Sequence, residues 1–295
     1  MKILLATDGS KYSNGAAKFL TNLNLSSHDE ITILHVISEV PFKDDRVSYY
    51  SSLKQIKQEI APKIIESTLK ILKPTNTQIS TVIIDGYPDK GILDTAEDLQ
   101  MDMIVMGARG IKGVKAFLIG SVTRSVAINS SKPVLVIKPP QWEVSGSVKI
   151  LFATDGSNLA METGRFLSSI PFHDNAEITV LHVMYSGLDI PEKFHIEIDE
   201  KIKEVAAEIR SAAFKESEII IEQARKCLVD RFTKINSLTK DGDPSVEILN
   251  TAKELKADLI AVGSKGMRGV KGMLGSVSRY ILGHSECSVL IGKSR

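Results

Sequence analysis

At 295 residues the chain is about twice as long as a typical single domain, and with 43% hydrophobic and 25% charged residues it reads as globular rather than disordered or membrane-spanning. Lys and Arg number 37 against 36 Asp and Glu, a net charge of +1, so no overall field draws the protein to nucleic acid or acidic lipid, and neither is expected as a partner. Two cysteines outside any Cys/His cluster, no apolar run near the ~20 residues of a bilayer span, and an N-terminal apolar stretch cut short by Asp8 fit a cytoplasmic protein without a zinc site or signal peptide.

Short runs of Ile, Val and Leu alternate with helix-period segments, which predicts βαβ units around a parallel sheet. Strands are expected near residues 2–7, 31–37, 78–84, 103–106 and 133–138. The first runs into Asp8-Gly9-Ser10 and a helix with Ala16, Phe19, Leu20 and Leu23 on one face; Asp8 or Ser10 could serve there simply as an N-cap. The second ends at His35-Val36, where backbone groups could meet an adenine edge, while His35 itself is assigned no chemistry. Pro62 predicts a kink or break in the helix that follows.

After the fourth strand come Gly107 and Gly110, nine residues, then Gly120-Ser121 at a helix start. Glycine lets backbone approach a phosphate closely and permits positive φ, and a helix start offers amides at the positive end of its dipole. Arg109, Lys112 and Lys115 stand in the same loop to screen phosphate charge. A side chain at Gly110 or Gly120 is expected to occupy the phosphate's place. Because open parallel sheets bind ligands beyond their carboxyl ends, this loop and Asp8 face one crevice.

The whole pattern then repeats. Residues 2–10 (KILLATDGS) return as 149–157 (KILFATDGS), and 31–36 (ITILHV) as 178–183 (ITVLHV), both 147 residues later. Asp85-Gly86 and Pro88 are echoed by Asp241-Gly242 and Pro244, 156 residues on, so nine extra residues intervene, assigned to a long helix. Gly107-Ala108-Arg109-Gly110 matches Gly263-Ser264-Lys265-Gly266, and Gly120-Ser121 matches Gly275-Ser276. The expected division is a first domain at 1–139, a linker at 140–147 carrying Trp142, and a second domain at 148–295. In the second copy Ile198, Ile202, Val205, Ile209 and Ala212 recur at helical spacing and predict a core-facing helix.

These residues resemble the universal stress protein family over essentially the whole chain, twice. Nucleotide-binding members carry Gly-x2-Gly-x9-Gly-Ser/Thr after the fourth strand, an Asp after the first and a Val after the second. The resemblance implies two tandem Rossmann-like α/β domains of the adenine nucleotide α-hydrolase-like kind, each a five-stranded parallel sheet of order 3-2-1-4-5 with helices on both faces. It further implies ATP, or AMP or ADP, with Mg2+ or Mn2+ as candidate companion. The implied site in the first copy is Thr7, Asp8, Val36, Gly107, Arg109, Gly110, Gly120, Ser121 and Val122. In the second it is Asp155, Val183, Gly263, Gly266, Gly275 and Ser276. There the glycine loop is one residue short, enough to move the phosphate amides by up to about 3.3–3.6 Å unless Gly272 absorbs it. Since family members dimerise through their last strands, the two halves are expected to mimic such a dimer within one chain, and two chains could pair further.

Two other readings stay open. A slow ATP hydrolase of the wider group lacks support from a Ser-Gly-Gly-x-Asp-Ser loop or a His-x-Gly-His motif, and no P-loop or Gly-x-Ser-x-Gly turn is present. A non-nucleotide interaction module with vestigial crevices is the third. No residue is assigned a catalytic role.

Overall fold

The structure, a computed structural model, describes residues 1–39, 47–110, 119–138, 147–184, 200–266 and 274–294. The first half runs β1 (Lys2–Ala6), α1 (Lys11–Thr21), β2 (Glu30–Ser38), α2 (Val47–Leu72), β3 (Gln78–Gly86), α3 (Pro88–Asp98), β4 (Met103–Gly107), α4 (Ser121–Asn129) and β5 (Val134–Ile137). The second runs β6 (Lys149–Ala153), α5 (Asn158–Ser169), β7 (Glu177–Met184), α6 (Glu200–Lys226), β8 (Lys234–Asp241), α7 (Pro244–Leu255), β9 (Leu259–Gly263), α8 (Ser276–His284) and β10 (Ser288–Gly292). Residues 139–146 with Trp142, loop residues Lys112 and Lys115, and Ile198 lie outside the described residues.

Within each half the strands are parallel and ordered 3-2-1-4-5, but the two sheets are not separate. They join into one ten-stranded sheet, β3-β2-β1-β4-β5-β10-β9-β6-β7-β8. The junction is antiparallel, Val136 opposite Val289, Leu135 opposite Leu290 and Val134 opposite Ile291, and all six residues are fully buried. Each such side chain contributes roughly 1.5–3 kcal/mol by leaving water. Alternation along the strands feeds two cores. Ile3 and Leu5 face one with Phe19, Ile65, Phe166 and Ile220, whereas Leu4 and Ala6 face the other with Ile92, Val126, Ile248 and Ile281. Thus α1, α2, α5 and α6 cover one face of the sheet and α3, α4, α7 and α8 the other.

One expectation about the long helices is corrected. The Ile202, Val205 and Ile209 stripe of α6 is 41–52% exposed rather than in the core, and Ala212 is exposed too. A 27-residue helix is about 40 Å long and an eight-residue strand about 27 Å, so the amino-terminal part of α6 runs past the sheet that would cover it. Core contact begins further along, at Ser217, Ile220, Ile221 and Ala224. Both α2 and α6 open where the described residues resume, with 26 and 27 residues described, so the assignment of the nine extra residues to a long helix falls outside the described residues. Ile64 packs at Gly9 and Ile220 at Gly156, already 156 positions apart, so the extra residues precede Ile220. Pro62 sits inside α2 without ending it.

Beyond the strand pairing, a reciprocal pair of lysines crosses the junction. Lys138, just after β5, donates through Nζ to Ser285 O at the end of α8 (2.5 Å). Lys293, just after β10, donates to Ile128 O in the last turn of α4 (3.1 Å). A cation at a helix carboxyl end complements the dipole there. Burial nevertheless pushes both ammonium groups down to about 8, helped by the charge of Arg109 on Lys138 and of Lys265 on Lys293; Cys287 acts the opposite way on Lys138. Since the folded chain releases these protons at lower pH than the unfolded chain, stability rises as pH climbs through 8. The Cys287 thiol, pushed up by burial to about 11 from 9, pulls the other way only above pH 9. Urea denaturation is therefore expected to show a rise in stability between pH 8 and 9, flattened in a Lys138→Met/Lys293→Met double variant.

Candidate functional site

Strand β1 leaves the sheet before its neighbours do. Thr7 N makes the last ladder bond, to Leu34 O (2.9 Å), and the chain then turns through Gly9 at φ +75° into α1. Ser10 caps that helix, its Oγ accepting from Ser13 N (3.3 Å). Strands β2 and β4 continue on either side, so a crevice opens where β1 would have run. Both polar groups of a strand residue face one neighbour and successive residues alternate. With Leu34 O facing β1, the N–H and C=O of Val36 face the crevice.

On the other side the glycines bring backbone together. A Cβ on Gly107 would stand 2.5 Å from the carbonyl carbon of Tyr12 and 2.7 Å from Ser13 N, so its absence lets the first turn of α1 rest on the end of β4. A Cβ on Gly110 would lie 2.5 Å from Asp8 Oδ2, while Asp8 Oδ1 accepts from Ser10 N (3.0 Å). The far end of the loop returns to the same place: Gly120 N donates to Ala108 O (2.9 Å) and Thr123 Oγ1 to Gly107 O (2.9 Å). Helix α4 thus starts beside the end of β4. Its N-cap is Gly120, with no side-chain cap, unlike α1, α5 and α7. The first-turn amides, at Ser121 and Val122, have no intrahelical partner and sit at the positive end of the dipole.

The second half repeats this bond for bond. Gly275 N donates to Ser264 O (2.8 Å) and Ser278 Oγ to Gly263 O (2.6 Å). Ser157 N donates to Asp155 Oδ1 (3.1 Å), and a Cβ on Gly266 would lie 2.5 Å from Asp155 Oδ2. The missing residue does not shift the loop's ends; it is taken up within residues 267–273, outside the described residues. A cavity of about 340 Å³ is lined by all six candidate residues of this half, Asp155, Val183, Gly263, Gly266, Gly275 and Ser276, together with Lys265 and the apolar Leu181, Ile248 and Val262.

The family model described as Universal stress protein family matches residues 1–138 and again 148–293. The chain belongs to the universal stress protein family. A universal stress protein of Methanocaldococcus jannaschii is 31% identical over 143 residues, 48% of this chain and 84% of that protein, so a single-domain relative corresponds to half of this one. A universal stress protein of Mycolicibacterium smegmatis is 25% identical over 310 residues, 99% of this chain and 97% of the relative. The crystal structure of a universal stress protein from Archaeoglobus fulgidus shares the fold at a TM-score of 0.67 and 21% identity, over 99% of this chain and 96% of that one.

Against the universal stress protein pattern, several residues behave otherwise than the sequence suggested. Among the described residues, positive-φ glycines are Gly9, Gly86, Gly156 and Gly242, none of them in the glycine loops, where close approach is the operative property. A side chain on Gly110 would meet Asp8 first, and one on Gly120 would meet Arg109 Cα and Ala108 O at 3.5–3.6 Å, an ordinary contact. Ser10 and Ser157 are the N-caps, so Asp8 and Asp155 are not. Thr7 is buried, its hydroxyl bonded to Ser13 and Thr68 (3.2 Å each), and its counterpart Thr154 lines the second-half cavity. Val122 packs partly against the core under α4. His35 is structural, its Nδ1 paired with Thr7 O at 2.8 Å. In the second half His182 Nδ1 is buried without such a partner, and burial holds its pKa below the usual range against the charges of Asp155 and Glu216.

Sequence reading missed Tyr12, which meets Arg109 at the mouth of the first crevice. The glycine contacts also separate the two halves. Gly107→Ala is expected to destabilise by about 1–3 kcal/mol, as overpacking against fixed backbone does. Gly263→Ala, whose nearest neighbour is Lys265 O at 3.3 Å, should cost less. Denaturation midpoints of the two variants check this ordering.

Proposed function

We propose that each half binds an adenine nucleotide and that this universal stress protein acts as a nucleotide-dependent sensor or regulator. The observation that carries the reading is the pair of uncapped helix starts, at Ser121 and Ser276, tied by hydrogen bonds to the glycine-lined carboxyl edge of the sheet. An anion is the ligand such amides favour. The phosphates would lie on the first-turn amides of α4 and α8 and on the loop amides around Gly110 and Gly266. Arg109 and Lys265 would supply positive charge. The adenine edge would pair with the crevice-facing backbone of Val36 and Val183. A cavity of about 340 Å³ is within the size range of small-ligand sites.

No group of three or more His, Cys, Asp or Glu suited to a metal occurs among the described residues. Mg2+ or Mn2+ would therefore arrive on the phosphates and meet the carboxylate of Asp8 or Asp155. These carboxylates each accept a backbone hydrogen bond that fixes their orientation. The domains are taken as 1–139 and 148–295, with the β5–β10 junction as the intrachain counterpart of a dimer contact and a cytoplasmic setting.

Denaturing the purified chain should release adenine nucleotide detectable by mass spectrometry. Adding ATP at 100 times its dissociation constant should stabilise the native state by about 2.7 kcal/mol for each occupied site, read as a higher melting temperature. No released nucleotide together with no melting shift would favour an interaction module, and rapid multiple turnover would favour an enzyme.

A further inference from the structure

Within the nucleotide reading, the two crevices differ at one cluster. In the first half the Arg109 guanidinium lies over the Tyr12 ring, its carbon 5.4 Å from the ring centroid, and Nη1 donates to the Tyr12 hydroxyl at 3.3 Å. The Arg109 backbone is held as well, its O accepting from Ser10 Oγ at 3.3 Å. Lys11 Nζ is 5.3 Å from the same ring. In the repeat, Leu159 stands for Tyr12, Lys265 for Arg109 and Asn158 for Lys11. Leucine offers neither a π-face nor a hydroxyl, and lysine presents a hydrated, flexible point charge where arginine presents a rigid fork matched to phosphate oxygens. The Asp-to-glycine approach, the helix tether, and a partly buried lysine behind the loop cation recur in both halves.

We propose that Tyr12 is a positioning residue that holds Arg109 ready for the outer phosphates, so that the first half selects nucleotides by phosphate number, ATP over AMP, more strongly than the second half does. A guanidinium already stacked and hydrogen-bonded loses less side-chain freedom when phosphate arrives than an ammonium on a mobile stem. That difference acts on the β and γ phosphates and leaves the adenine and ribose contacts untouched. Two unequal sites on one chain would let it report the ATP to AMP ratio rather than the total nucleotide.

The test is photolabelling of the full chain with 8-azido-ATP in competition with ATP, ADP and AMP, each site being read through its own labelled peptides. The expected result is a larger ATP to AMP preference at first-half peptides than at second-half peptides. Tyr12→Leu should cut that preference about 2- to 5-fold by weakening ATP competition alone, the range of an exposed cation–π contact. Tyr12→Phe, which keeps the ring, should retain most of it, and Leu159→Tyr with Lys265→Arg should raise it in the second half. Equal preference in both halves, or a Tyr12→Leu variant that weakens ATP and AMP alike, would overturn the inference while leaving nucleotide binding intact. Labelling of neither half would overturn the nucleotide reading itself and the inference with it.

Discussion

One constraint governs the crevice: the N-cap amide of the helix after the glycine loop is bonded back to the residue just past the strand before it, Gly120 to Ala108 and Gly275 to Ser264. That bond and the hydroxyl beside it, from Thr123 or Ser278, decide where a helix dipole ends. At Gly107 glycine is required because the backbone of Tyr12 and Ser13 occupies the space a side chain would take. Between these anchors the two halves tolerate loops of different length without changing the geometry at either end.

The same helices serve the joint between the halves. Each of α4 and α8 offers its amino end to a crevice and its carboxyl end to a lysine from the opposite half. The antiparallel pairing of β5 with β10 makes the inner edges of the two sheets a buried ladder, removing two exposed strand edges that would invite association. Asn24 N, bonded to Pro171 O at 2.7 Å, adds a further tie across the joint. The duplicated chain therefore has one continuous sheet and two cores that each run through both halves.

Much of this was legible in the residues. Strand positions follow from apolar runs to within one or two residues, because a helix-covered parallel strand needs apolar side chains on both faces. The internal repeat gives two units, and the order of elements gives crossovers. Periodicity failed at Ile202, Val205 and Ile209, since a helical stripe says which face is apolar and not where the sheet beneath it stops. The loop glycines were credited with positive φ that belongs to Gly9 and Gly156, because sequence does not separate a glycine needed for its torsion from one needed for its missing Cβ. The Tyr12–Arg109 pair was hidden for another reason: its members are 97 residues apart. A position-by-position comparison of the halves would have flagged Tyr12 against Leu159 and Arg109 against Lys265.

The central claim is that main-chain amides at two helix starts and two strand ends form the ligand seats. Hydrogen exchange of the full chain with and without ATP tests it at the level of those amides. The account predicts slower exchange in peptides spanning Gly120–Thr123 and Gly275–Ser278, and in those containing Val36 and Val183, with the rest of the sheet unchanged. Protection confined to other segments, or none at saturating ATP, would contradict it.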